Sequence, residues 1–213
     1  PGTRYNGHIV KDWPVMVSEG ETTRYVGDVL AGVVAETEAQ ARNAVQAINV
    51  QYDVLEPLTN MEEAETSNIK VHEKGNLLEV SAFKRGEPVD DVLKNSAHTV
   101  SGRYETQRIE HAFLETEAAV ALPWQEDKYD DAIQIYTQSQ GVYEDRRQIA
   151  QILDLPEEKV KVTLVPNGGG FGGKEDLTVQ GHVTLFAYHL RKPVKLRLSR
   201  EESIRMHPKR HPM

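Results

Sequence analysis

Residues 167–175 read NGGGFGGKE: five glycines around one phenylalanine, with a lysine and a glutamate directly behind. Glycine backbone can approach a ligand where a side chain would intrude. Two phosphate-binding patterns are nearly met. Gly168, Gly170 and Gly173 fit G-x-G-x-x-G, and Gly168, Gly173 and Lys174 open the pattern G-x-x-x-x-G-K-[ST]. The second needs a hydroxyl after the lysine to hold Mg²⁺, and this chain has Glu175 there. The first needs an acidic residue about 20 positions on to bind ribose, and no acid occurs from Arg191 until Glu201. What remains is a loop that lays backbone against a ligand, with Phe171 and Glu175 as its substantial specific side chains. A non-catalytic nucleotide- or phosphate-binding module using residues 168–173 is the alternative reading.

Other candidates are weaker. Gln138 and Gln140 in TQSQG are neutral amide donors at the end of an alternating segment. Glu115 and Glu117 would share a face of a strand, yet nothing beside them points to a glycosidase-like pair. His207 and His211 stand four apart, but Pro208 and Pro212 disrupt a regular helix, so metal ligation is not expected there. Lys174 reads as structural or solvated.

Composition narrows the function classes. The chain has 213 residues, 25 basic and 33 acidic, for a net charge of −8, which disfavours nucleic acid as a partner. There is no cysteine, hence no disulfide, thiolate nucleophile or cysteine-held cluster within these residues. No apolar run reaches the roughly 18–20 residues of a membrane span. A cytoplasmic location is the expectation.

These residues need elements to position them. Residues 29–35 (VLAGVVA) read as a strand and 38–48 as a helix presenting Ala41, Ala44, Val45 and Ile48, with Thr37 and Gln40 at capping-box spacing. Residues 49–55 return as a strand, giving a β-α-β unit. Pro57 and the acidic stretch NMEEAETSN mark a surface connection. Further on, 87–96 read as a short helix and 98–109 as a long alternating strand. EAAVALP and AIQIYTQSQ read as strands separated by the turn WQEDKYDD. Residues 143–153 form a helix, with Ile149, Ile152 and Leu153 on one side, that Pro156 ends. Then come a strand at 160–165, the irregular glycine loop, a helix over 176–190 and a last strand, VKLRL. Leu177, Thr184, Leu185 and Tyr188 are expected along one face of that helix. The loop thus falls at a strand-to-helix junction, where helix N-termini present free N–H groups.

In that context, GGGFGGKE preceded by TQSQGVYEDRRQIAQILDLPEEKVKV resembles the molybdenum-binding subunit of the xanthine dehydrogenase and aldehyde oxidase family. RYVGDVLAGVVAETEAQARNAVQAINVQYDVLEPL resembles the α/β-hammerhead domain that precedes the cofactor domain, and RIEHAFLETEAAVAL resembles the first strands of the latter. The resemblance implies an α+β chain: a truncated hammerhead-like domain over 1–65, then the first part of a molybdopterin-binding domain over 66–213. It implies a molybdenum–molybdopterin cofactor, in the simple or dinucleotide form, with [2Fe–2S] and FAD on partner chains or domains.

The family uses a glutamine to hydrogen-bond the apical oxygen of the molybdenum. Gln138 and Gln140 both compete for that role, and gapless alignment to the following helix, Pro156 and the glycine loop selects Gln140. Gly170, Phe171 and Gly172 correspond to the backbone that contacts the cofactor, so Gln140 and Phe171 would approach the metal without ligating it. Glu175 corresponds to the substrate-facing glutamate of enzymes acting on purines, and His111 is expected to pack near the site wall. The implied reaction is hydroxylation of an N-heterocycle, such as a purine, with oxygen from water. The resemblance puts the general-base glutamate beyond residue 213, in the remainder of the molybdenum subunit. The 213-residue chain alone is therefore expected to bind no molybdenum and to be inactive.

Overall fold

The computed structural model describes residues 2–126 and 129–213. By its contacts the chain divides into two compact units, residues 1–50 with 108–211 and residues 51–107 with 212–213. The elements in chain order are β1 (Tyr5–Asn6), β2 (Trp13–Pro14), α1 (Glu38–Gln46), α2 (Met61–Thr66), α3 (Val89–Asn95), β3 (Ala118–Glu126), β4 (Tyr129–Thr137), α4 (Val142–Leu153), β5 (Val160–Leu164), α5 (Val179–Leu190), β6 (Val194–Arg197) and α6 (Arg200–Met206). Helices and strands are mixed, as in an α+β chain.

The first unit is built on a four-stranded sheet in the order β5-β4-β3-β6. β3 pairs antiparallel with β4 and with β6, and β4 pairs parallel with β5. The turn expected between β3 and β4 includes residues 127–128, outside the described residues. Strand period explains the core. Ala119 and Ala121 on β3, and Ile133 and Ile135 on β4, point to one side and are buried there. Against that face α4 packs Ile149, Ile152 and Leu153, and α5 packs Val179, Val183 and Ala187 at i, i+4 and i+8. The expected α5 face is met only in part: Thr184 is fully buried, Leu177 is buried but precedes the helix, and Leu185 and Tyr188 only border the core.

β4, α4 and β5 form a crossover between parallel neighbours, so β4 and β5 share one carboxyl end. Register pairs Thr137 with Leu164, and the Val165 N–H donates to the Thr137 carbonyl at 3.0 Å. Gln138–Gln140 therefore emerge beside the loop that starts at Pro166. Open sheets with parallel strands characteristically present ligand sites at this end.

The β-α-β reading of residues 29–55 is corrected. α1 forms with its capping box, the Gln40 N–H donating to Thr37 Oγ1 at 3.2 Å. Neither flanking segment is a strand. Residues 29–35 form no regular element, are linked by the Val17 N–H to the Val29 carbonyl at 2.8 Å, and place Gly32 against the Phe186 ring. Their apolar run is partly covered by a helix rather than paired in a ladder. Residues 49–55 are exposed, as are Ala44, Val45 and Ile48 of the expected α1 face.

In the second unit, the stretch read as a connection holds α2, whose N-terminus is closed by Asn60 Oδ1 accepting from the Glu62 and Glu63 N–H groups. α3 forms as expected. Residues 98–107 alternate in sequence but make no strand, and Val100 and Tyr104 are almost fully exposed. Alternation without a partner edge does not create a ladder.

Candidate functional site

The glycine loop is irregular, as expected, and its geometry demands glycine. Gly169 and Gly172 have φ of 100° and 88°, in the region that L side chains rarely occupy. Phe171 also has positive φ, 51°, and is 73% exposed. An exposed aromatic held in left-handed backbone is strain of the kind found at ligand sites. α5 begins only at Val179, so Asp176–Thr178 are not helical and the loop does not form the first turn of that helix.

Gln140 is the hub of the loop. Its Oε1 accepts from the Gly172 N–H at 3.0 Å and from the Lys174 N–H at 3.2 Å, and its own N–H donates to the Lys174 carbonyl at 2.9 Å. Two N–H donors identify the amide oxygen, so the outward group is the Nε2 donor. Among the described residues Nε2 has no hydrogen-bond partner. A Cβ on Gly170 would lie 2.7 Å from Gln140 Cδ and closer still to Oε1. Only glycine at 170 lets this amide sit under the loop.

Gln138, the competitor, is committed elsewhere. Its Nε2 donates to Glu115 Oε2 at 2.5 Å, and the same oxygen accepts from the Gly168 N–H at 3.0 Å. Glu115 thus ties the start of the loop to β4. Glu117 is buried instead, so the two glutamates two apart do not act as one pair.

Lys174 is structural. Its side chain is buried, with Nζ donating to the Glu115 carbonyl at 2.8 Å and lying 4.4 Å from the Phe113 ring centroid. Burial pulls its pKa down, partly offset by Glu117 and Glu115. An ammonium directed at the Glu115 carbonyl does not serve a phosphate in the loop, which removes the support for the mononucleotide pattern. Glu175 follows with an exposed side chain. His111 lies under the loop, its Nδ1 3.1 Å from where a Gly173 Cβ would stand, in line with a place at the wall.

Asp145, in the first turn of α4, is a residue that sequence reasoning missed. It is fully buried with neither carboxyl oxygen in a hydrogen bond among the described residues, and burial pushes the carboxyl up to about 7, against the smaller lowering pull of the nearby Ser139 and Gln180 side chains. Its signal, an acid in a helical first turn, is indistinguishable from ordinary dipole pairing. In the unfolded chain the group returns to its ordinary value of 3.8. Its stability contribution is therefore complete below about pH 4 and is lost as pH rises toward 7, when the native state must ionise a buried group. The gap sets a ceiling of about 4 kcal/mol. Asp145→Asn is expected to flatten denaturant-derived stability between pH 4 and 7 and to raise it above pH 7; an unchanged slope would show that the carboxyl is ionised throughout.

The arrangement offers an amide donor and bare backbone, with no protein metal ligand among Gln140, Gly170, Phe171 and Gly172. That fits a ligand rich in acceptor oxygens whose metal is held by its own atoms.

Residues 70–213 match the family model described as the molybdopterin cofactor-binding domain. Over its whole length the chain is 40% identical to a probable xanthine dehydrogenase subunit of Bacillus subtilis (strain 168), of which it covers 28%. It is 38% identical, also over its whole length, to the nicotinate dehydrogenase large molybdopterin subunit of Eubacterium barkeri, covering 49% of that protein. Quinoline 2-oxidoreductase from Pseudomonas putida 86 superposes with a TM-score of 0.75 at 30% identity, over 85% of this chain and 23% of that one. The chain thus spans from about a quarter to half the length of these relatives.

Proposed function

Because this chain belongs to the molybdopterin cofactor-binding domain family, we propose that it forms one wall of the molybdenum site in a hydroxylase that oxidises an N-heterocycle, such as a purine, with oxygen from water. The observation that carries the reading is the tethered amide of Gln140: with Oε1 held by two loop N–H groups, Nε2 is presented as a fixed donor. A molybdenum–molybdopterin group, when bound, supplies the redox chemistry. Gln140 would donate a hydrogen bond to one of its oxygens, while Gly170, Phe171 and Gly172 would bring bare backbone against it. The exposed Phe171 ring would exclude water on that side. Glu175 would accept a hydrogen bond from a ring N–H or exocyclic group of the substrate.

In this reading residues 66–213 belong to the cofactor domain and 1–65 to a hammerhead-like domain. The general base, the rest of the pocket, and [2Fe–2S] and FAD carriers come from the remainder of the subunit and its partners, in the cytoplasm. Names of relatives support the substrate class: nicotinate and quinoline are N-heterocycles, as are purines.

Metal and pterin analysis of the complete protein tests the reading, with stoichiometric molybdenum as the expected result. Gln140→Ala is then expected to change the molybdenum electron paramagnetic resonance signal and to lower kcat/KM on every substrate alike, by about 10-fold or more for a lost charge-assisted contact. Absence of molybdenum and pterin, or a signal identical to wild type in the variant, would remove it.

A further inference from the structure

A second group of ligating side chains stands under the glycine loop, separate from Gln140 and Glu175. We propose that Glu110, His111 and His207 form a binding site for a divalent transition ion of the zinc class, which braces the loop from below. This goes beyond the proposed hydroxylase function and does not rest on it.

The three residues come from two segments joined by backbone. Ile109 and Arg210 exchange N–H···O bonds of 3.3 Å in both directions, which sets Glu110 and His111 across from the end of α6. One ligand atom from each of Glu110, His111 and His207 lies within 4.8 Å of the others. The His207 side chain is wholly buried. Its Nδ1 faces Glu117 Oε1 at 3.1 Å and Ser203 Oγ at 3.3 Å. Its Nε2 lies 2.6 Å from Glu110 Oε1, a charge contact that does not meet hydrogen-bond geometry. His111 Nδ1 is likewise buried without a hydrogen-bond partner. Unpartnered buried polar atoms are costly and call for an explanation. The absence of a side chain at Gly173 leaves room beside His111 Nδ1.

The chemistry of the set selects the ion. Two imidazoles and one carboxylate suit zinc-like ions, whereas calcium and magnesium prefer all-oxygen shells. Zinc–donor distances of about 2.0–2.2 Å place donors roughly 3.3–3.5 Å apart, so Glu110 and His207 would part slightly and His111 would close in. Glu117 behind His207 Nδ1 supplies the carboxylate that commonly orients a ligating histidine. Lys209 opposes the ion: its Nζ pairs with Glu110 Oε2 at 3.1 Å and donates to the His207 carbonyl at 2.8 Å. Oε1, which already accepts from the Ala112 N–H at 3.2 Å, keeps a second lone pair for the metal, and the nearby ammonium weakens the site.

The test is elemental analysis of the complete protein after equilibration with micromolar zinc and gel filtration, with zinc-edge X-ray absorption. One zinc per chain with two imidazole ligands is expected, lost in His111→Ala and reduced in Glu110→Gln. Lys209→Ala should bind zinc more tightly, by roughly 10-fold. Both ligand variants involve partly exposed residues, so folding is checked by their melting temperatures. Amide exchange at Gly172 and Gly173 should slow with zinc bound. No retained zinc, or equal zinc in wild type and His111→Ala, overturns the site; equal exchange with and without zinc overturns the brace.

Discussion

Gly170→Ala is expected to speed hydrogen exchange of the Gly172 and Lys174 amides by roughly 30-fold and to strip molybdenum from the complete protein. The added Cβ would lie 2.7 Å from Gln140 Cδ. A free side-chain end could swing away cheaply, but this one is held by two N–H donors and by its own backbone bond to Lys174. Displacing it gives up two hydrogen bonds of about 1 kcal/mol each, and about 2 kcal/mol corresponds to the stated factor. The loss is larger for the cofactor, because the Nε2 donor and the loop backbone move together. Gly141→Ala is the matched comparison: its Cβ would meet only ordinary contacts at 3.8 Å. Unchanged exchange in Gly170→Ala would show that Gln140 does not brace the loop.

Much of this arrangement was legible in the sequence, and the reason is local signal. The capping box at Thr37 and Gln40, the strand at 160–164 and the helix at 142–153 each follow from neighbours within one or two turns. The glycine loop announced itself by composition, since five glycines carry a folding cost that only a backbone requirement offsets. What was missed depends on distance. Residues 29–35 have the composition of a strand, but whether such a run pairs or packs on a helix is decided by α5, some 150 residues later. The gathering of Glu110, Glu117 and His207 spans 97 positions and leaves no periodic trace. Ser199 and Glu202 form a capping box at the start of α6, a local signal carried by residues three apart. Gln138 and Gln140 carry the same side-chain chemistry, and in the fold their hydrogen-bond partners differ. Gln138 Nε2 is bound to Glu115, whereas Gln140 Nε2 has no hydrogen-bond partner among the described residues.

Glu175→Gln is expected to lower kcat/KM for an N-heterocycle by about 10- to 100-fold in the complete protein, with molybdenum content near wild type. Both backbone groups of Lys174 are fixed to Gln140. The backbone where Glu175 begins is therefore held relative to the amide proposed to face the metal, although its side chain touches neither that amide nor the loop glycines in any hydrogen bond among the described residues. A carboxylate in that position suits a substrate bearing ring N–H or amino groups. Replacing it with an amide exchanges a charge-assisted hydrogen bond for a neutral one, worth roughly 1.5–3 kcal/mol. The loss grows if the contact strengthens as the ring changes charge in the transition state. A simple aldehyde has no group for that carboxylate, so its kcat/KM should change little or rise as a desolvated charge disappears from the pocket. The measurement is kcat/KM for a purine and an aldehyde in wild type and variant, each normalised to molybdenum. Equal losses on both substrates, or loss of the metal itself, would move Glu175 from substrate recognition to the support of the loop.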